Sequence, residues 1–83
     1  MTNHVVHLAT DGMRIIWCPG CDRAHGYDSR WAFNGDLDRP TFTPSLVVEE
    51  SALCHSFVTD GRIQFLADST HALAGQTVDL QPW

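Results

Sequence analysis

Two cysteines separated by two residues, Cys18 and Cys21, form the motif with the clearest chemical meaning in this sequence. A Cys-x-x-Cys loop that follows a strand presents two thiolates to one metal ion, and Pro19 and Gly20 suit the tight turn between them. Redox proteins share this spacing, but they usually set it at the start of a helix in an α/β fold. The surrounding sequence predicts no such fold, so the motif indicates a structural Zn²⁺ site.

A structural zinc site is closed by four ligands, so two more residues must come from elsewhere in the chain. Cys54 is the remaining cysteine and the predicted third ligand, although a free cysteine can also be a small buried apolar residue. Three histidines remain open as the fourth ligand: His25, His71 and His55. Of these, His25 is preferred because it follows Cys21 closely and can close the same loop.

Short apolar and β-branched segments separated by turn residues predict a mainly β fold. Asp11-Gly12 and Asp60-Gly61 are strong hairpin signals. The predicted strands span residues 5–8, 13–17, 31–33, 41–48, 53–58, 62–66 and 77–80. Pro44 cannot donate a ladder hydrogen bond, so its strand is an edge or is interrupted there. Residues 68–74 are the one place where a short helix is expected.

The chain length, net charge and number of cysteines limit the kinds of domain and function that this sequence can have. The 83 residues allow one domain, which we expect to be a small antiparallel β-hairpin domain over residues 1–83, organised around the zinc knuckle. A net charge of −5 disfavours nucleic-acid binding, which needs a basic surface. No apolar run approaches the ~20 residues of a membrane span. The odd number of cysteines disfavours a disulfide scaffold and indicates a reducing, cytoplasmic location.

Several motifs occur together in a fixed order from Trp17 onward. They occupy residues 17–21, 31–35, 39–45, 54–61 and 70–78. This combination resembles a family of small phage and prophage proteins of unknown function. Members are often labelled ammonia monooxygenase or anaerobic dehydrogenase, but no residue of this sequence supports either label. That family is distantly similar to zinc-containing serine peptidases of bacterial ubiquitin-like conjugation operons. The resemblance implies a bacterial host cell, a protein partner such as a ubiquitin-like protein, and hydrolase chemistry.

The chain departs from the phage pattern at Ser69, where relatives usually carry a cysteine. If that cysteine is a zinc ligand in the relatives, His71 or His25 must replace it in this chain. If it is not a ligand, the change is neutral.

A serine peptidase needs a nucleophile, a histidine base and often a carboxylate that orients the base. Ser45 and Ser56 are the serines in the shared motifs that are candidates for the nucleophile. Side chains alternate along a strand, so His55 should face away from Ser56 and be free to meet a serine on another strand. Ser45 fits that position, and Asp68 or Asp60 could orient the imidazole.

The first functional hypothesis is therefore a zinc-stabilised serine-type peptidase with Ser45, His55 and Asp68, cleaving a protein tail such as a ubiquitin-like C-terminus. An alternative pairing joins Ser56 to His71. The second hypothesis is a non-catalytic zinc-ribbon-like module that binds a host or phage protein. The two differ in one respect, because the binding module would tolerate alanine at both serines.

Overall fold

The computed structural model describes residues 4–49 and 53–83, and these residues form strands, turns and loops without a helix. The strands are β1 (His7–Leu8), β2 (Arg14–Cys18), β3 (Arg23–Tyr27), β4 (Ala32–Phe33), β5 (Phe42–Glu49), β6 (Leu53–Thr59), β7 (Arg62–Phe65) and β8 (Thr77–Asp79). They build two antiparallel sheets with the orders β1-β2-β3 and β4-β5-β6-β7-β8. The predicted mainly β fold is confirmed.

The hairpin between β6 and β7 forms at the predicted Asp60-Gly61 turn. Both residues have positive φ, 54° and 81°, as a two-residue turn of the favoured hairpin type requires. The β1–β2 connection likewise turns at Asp11-Gly12, where Gly12 has a φ of 88°. The two Asp-Gly pairs in the sequence therefore predict both turns correctly.

One strand of the first sheet, β3, was not predicted. Its sequence, Arg-Ala-His-Gly-Tyr, contains a glycine and few β-branched or aromatic residues, so local propensity gives little signal. The strand forms because all five residues pair with β2, from Arg14↔Tyr27 to Cys18↔Arg23. The loop between β2 and β3 is the Cys-x-x-Cys knuckle.

Strand β5 runs unbroken through Pro44, but its pairing with β6 is interrupted there, in line with one of the two predicted alternatives. It lies between β4 and β6. Its register with β6 shifts between the pairs Phe42↔Val58 and Leu46↔Ser56, so β5 has extra residues in this stretch. A bulge of this kind accommodates a proline, and it also re-aims the neighbouring side chains. Ser45 lies within it, directly after a cis Thr43–Pro44 peptide bond.

The short helix expected at residues 68–74 does not form. This segment makes turns instead, and its two hydroxyl side chains bond to the backbone of β6. Ser and Thr side chains compete with helical hydrogen bonds in this way. The segment therefore runs beside the part of β6 that extends beyond β7.

The core lies between the two sheets. Tyr27 of the first sheet stacks on Phe42 of the second, with ring centroids 3.9 Å apart. Ile16, Ile63 and Phe65 are fully buried around this contact. In the part of the chain that the structure describes, no helix is long and apolar enough to cross a membrane.

Candidate active site and metal centre

The four residues predicted to bind metal come together between the sheets. Cys18 ends β2, Cys21 lies in the knuckle, His25 is in β3 and Cys54 is in β6. One ligand atom from each lies within 4.8 Å of every other. The cluster is largely buried, and it links the first sheet to β6 of the second sheet.

The separation of two of the sulfur atoms is compatible with a tetrahedral metal site. The sulfur atoms of Cys18 and Cys54 are 3.8 Å apart. Two sulfurs bound to one zinc at ~2.3 Å and tetrahedral angles would also be separated by ~3.8 Å. In the knuckle, the backbone N–H of Cys21 points at the Cys18 sulfur, with an N–S distance of 3.4 Å.

The protonation chemistry of the cluster also favours a cation. The hydrogen bond from Cys54 holds the pKa of the Cys18 thiol well below its ordinary value, and the same contact raises the pKa of Cys54. Burial raises the pKa of Cys21. Three neighbouring thiols cannot all ionise without a positive charge among them. The buried Nε2 atom of His25 has no hydrogen-bond partner among the described residues. These donors fit a bound metal ion.

His71 and His55, the two alternative fourth ligands, both lie outside this cluster. His71 packs against the knuckle. A Cβ atom at Gly20 would collide with the His71 ring, so a larger residue at this position of the loop would displace that ring. The His71 ring also meets Phe65 edge to face, and its Nδ1 accepts a hydrogen bond from the backbone N–H of Leu73. The observed contacts of His71 are therefore packing contacts that cover the knuckle.

On the opposite face of β6, Ser45, His55 and Asp68 form a chain of hydrogen bonds. The Ser45 hydroxyl lies 3.1 Å from Nε2 of His55, and Nδ1 of His55 lies 3.1 Å from Oδ2 of Asp68. With its Nδ1–H donated to the carboxylate, the imidazole presents a free lone pair at Nε2 to the serine. This is the order of contacts found in serine hydrolases.

Backbone placement explains how these side chains meet. Strand alternation turns Cys54 inward and leaves His55 on the outer face, as predicted. Val47 is the residue directly across from His55, and the bulge just before it places the Ser45 hydroxyl within hydrogen-bond distance of His55 Nε2. The carbonyl of Ser45 accepts a hydrogen bond from the indole N–H of Trp31 at 3.4 Å.

Ser69 has a role that sequence reasoning missed. Its hydroxyl accepts a hydrogen bond from the backbone N–H of His55 at 3.0 Å and donates one to the carbonyl of the same residue at 3.1 Å. The side chain is buried and lies outside the cysteine cluster. The sequence offered one signal for this role, which is that Ser69 directly follows Asp68. A hydroxyl beside the residue that orients the base can also form hydrogen bonds with the strand that carries the base.

The alternative pair, Ser56 and His71, is not joined by a hydrogen bond. The hydroxyl of Ser56 and Nε2 of His71 are both buried, and neither has a hydrogen-bond partner among the described residues. Ser56 is 1% exposed and faces the core beside its pairing partner Phe65. Substrate would not reach this serine without rearrangement of the core.

Comparison with known protein families adds a description to this geometry. Residues 1–66 match the model of a family described as bacterial ubiquitination-like system serine protease (BubE). The chain belongs to the BubE family. The matched part contains the four cluster residues, Ser45 and His55, and it ends just before Asp68. No curated protein and no solved structure matches the chain.

Membership of the BubE family confirms the similarity to serine peptidases of bacterial ubiquitin-like systems. It supports a serine-protease-like role and protein partners for the chain. Since the family description names a serine protease, the serine contacts on the outer face of β6 are the natural focus of a proposed reaction.

Proposed function

We propose that this BubE-family protein is a zinc-stabilised serine peptidase that cleaves a protein tail, such as the C-terminal tail of a ubiquitin-like protein. The observation that carries the proposal is the continuous hydrogen-bonded chain from Ser45 through His55 to Asp68. The family description, which names a ubiquitination-like system, supports the class of substrate. The free thiols fit a reducing compartment, so the reaction belongs to the bacterial cytoplasm.

The chemistry follows from the contacts. Ser45 Oγ attacks the carbonyl carbon of the scissile bond while His55 Nε2 takes the serine proton. The tetrahedral intermediate collapses, the C–N bond breaks, and His55 gives its proton to the leaving amine. Water then attacks the acyl ester, with His55 again accepting a proton, and the acid product leaves as Ser45 regains its hydrogen. Asp68 holds the imidazole in the required tautomer and stabilises its protonated form.

The metal has a structural part in this proposal. The three thiolates and His25 complete a four-ligand donor set, which leaves no open position for a water or substrate. Zinc would supply the folding free energy that a small core lacks and would bind the knuckle to β6. Cys54 is the neighbour of His55 in β6, so an ion held by Cys54 would fix the strand that carries the proposed base.

A fluorophosphonate probe tests the nucleophile. We expect one covalent adduct, formed when the Ser45 Oγ–P bond replaces the P–F bond, and peptide mapping should locate it at Ser45. Ser45→Ala should abolish the adduct, whereas Ser56→Ala should retain it because that hydroxyl is buried. Ser29→Ala serves as a control at an exposed serine.

Native mass spectrometry of the same samples measures the metal. One zinc per chain is expected in every one of these variants, since none changes a residue of the cluster. Zinc-loaded, folded protein that never reacts with the probe would contradict the peptidase and favour a binding module. An adduct that persists in Ser45→Ala would show that a residue other than Ser45 is the nucleophile.

A further inference from the structure

Beyond its bulge, strand β5 is paired on one side only. β6 pairs with Phe42 and then with every residue from Leu46 to Glu49, whereas β4, on the opposite side, pairs only with Phe42 and Thr43. Among the described residues, no strand lies beside the rest of β5 on the β4 side. Unpaired strand edges of this kind are templates for another extended chain.

The hydrogen bonds of His55 show which way the backbone of β5 points. Residues opposite each other in an antiparallel pair either exchange their hydrogen bonds or both turn away from each other. The N–H of His55 donates to the Ser69 hydroxyl, and its carbonyl accepts from the N–H of Leu66 at 2.9 Å. Since these bonds point away from β5, the N–H and C=O of Val47, the residue opposite His55, point away from β6.

The next outward-pointing residue of β5 follows the same rule. Leu53 donates its N–H to the Thr70 hydroxyl at 3.0 Å and accepts the N–H of Thr70 at 2.9 Å. Its partner across the sheet is Glu49, whose backbone groups therefore also point away from β6. We call the backbone N–H and C=O groups of Val47 and Glu49 the free edge. Among the described residues, none forms a backbone hydrogen bond with these groups.

The free edge begins beside the proposed nucleophile. Ser45 precedes Val47 by two residues, which is ~7 Å along an extended strand. Its carbonyl points to the β4 side, where it meets the indole of Trp31. The Val47 side chain is 48% exposed, on the face that carries His55. An extended chain added here would run beside β5 and bring its backbone next to Ser45.

We infer that the substrate binds as an added β-strand on the free edge. The residues on the acyl side of the scissile bond occupy it, and the third residue before that bond pairs with Val47. The inference rests on the proposed function, since Ser45 defines where the bond is cut. The free edge is assigned to the acyl side of the substrate because this part stays covalently bonded to Ser45 until water hydrolyses the ester. The part after the scissile bond must dissociate earlier. Backbone pairing supplies affinity, and the exposed Val47 contacts a neighbouring side chain.

Peptidyl diphenyl phosphonates test this directly. Ser45 Oγ bonds to phosphorus, the P–O bond to phenoxide breaks, and the serine proton passes through His55 to the phenoxide. We would compare the acetylated phosphonates of glycine, valine and phenylalanine, each alone or preceded by two alanines. Two added backbone hydrogen bonds should make the longer form of the best probe react about tenfold faster.

Two matched changes isolate the hydrogen bonds at Val47. N-methylation of the first alanine removes the donor to the Val47 carbonyl, and it should cancel the tenfold gain without altering the protein. Val47→Pro removes the Val47 N–H, one of the two groups that would bond to the probe, and should reduce the gain, whereas Val47→Ala shortens the side chain and keeps the N–H. Labelling by the small fluorophosphonate, which has no residue to pair with Val47, is the reference rate by which each variant's peptide rate is divided.

The outcomes separate the two proposals. Absence of fluorophosphonate labelling would contradict the proposed function itself. Normal fluorophosphonate labelling with no gain from the alanines, or a gain that survives N-methylation, would overturn strand addition. Sedimentation that shows a dimer of wild-type protein but not of Val47→Pro would assign the free edge to a second copy of the chain and overturn it as well.

Discussion

Replacing Ser69 with alanine should destabilise the domain through the backbone of His55. The Ser69 hydroxyl is the hydrogen-bond partner of the His55 N–H and a second partner of its carbonyl, which also accepts from Leu66. An unsatisfied buried N–H costs ~1–3 kcal/mol, and the second lost hydrogen bond adds ~1 kcal/mol. We therefore expect a loss of about 2–4 kcal/mol, a large part of the stability of a domain this small.

Thermal unfolding followed by circular dichroism, at a fixed excess of zinc, measures this change. For a domain of this size a loss of 1 kcal/mol lowers the melting temperature by roughly 4–8 °C, so Ser69→Ala should melt about 10–25 °C lower. Ser69→Cys should lie between the two, since a thiol donates and accepts weakly. Ser29→Ala, at an exposed site, should change stability by less than about 0.5 kcal/mol.

The same variant tests whether Ser69 positions the base. In protein that is still folded at 25 °C, fluorophosphonate labelling of Ser45 should slow at least tenfold, because small misplacements of reacting groups are costly. Ser69→Cys should recover part of the rate. A melting temperature for Ser69→Ala within 2 °C of wild type would refute the reasoning about the His55 backbone.

Three further predictions concern the proposed site. Asp68→Asn should slow fluorophosphonate labelling of Ser45 about 10³-fold with little change in stability, since the lost carboxylate no longer fixes the His55 tautomer; a change below tenfold would exclude Asp68 from that role. Removing the metal with a chelator, or changing Cys54→Ser, should abolish cooperative unfolding, because zinc binding of ~10–16 kcal/mol rivals the whole stability of a domain; an unchanged melting curve would contradict this. Trp31→Phe keeps an aromatic ring but loses the donor to the Ser45 carbonyl, so labelling should fall about two- to fivefold; an unchanged rate would show that this contact does not position the serine.

The parts of the site that could be predicted depend on local spacing or strand alternation. The Cys-x-x-Cys loop indicates a metal knuckle wherever the chain folds, because both thiols lie on one tight turn. Likewise, period-two alternation in β6 separates Cys54 from His55 whatever the neighbours are. Hairpin turns such as Asp60-Gly61 need positive φ, which few residue pairs adopt readily.

The parts that could not be predicted depend on long-range pairing. Strand β3 has weak local propensity and forms because β2 provides a partner along its whole length. Residues 68–74 have a helical pattern, but Ser69 and Thr70 form hydrogen bonds with β6 instead. The fourth ligand was predicted in part, because the close spacing after Cys21 favoured His25 but left His71 and His55 open. The final choice is not local. It depends on β3, which brings His25 to the cluster.

One strand connects the metal cluster to the proposed catalytic residues. In β6, Cys54 faces inward to the cluster and the next residue, His55, faces outward to Ser45. A metal ion holding Cys54 would fix the backbone from inside, while the Ser69 hydroxyl fixes the same peptide unit from the sheet edge. Catalytic geometry tolerates small errors poorly, and a chain of this length buries too little core to hold it by packing alone. The closed metal site would therefore stabilise the fold and hold the base in place through a single peptide unit.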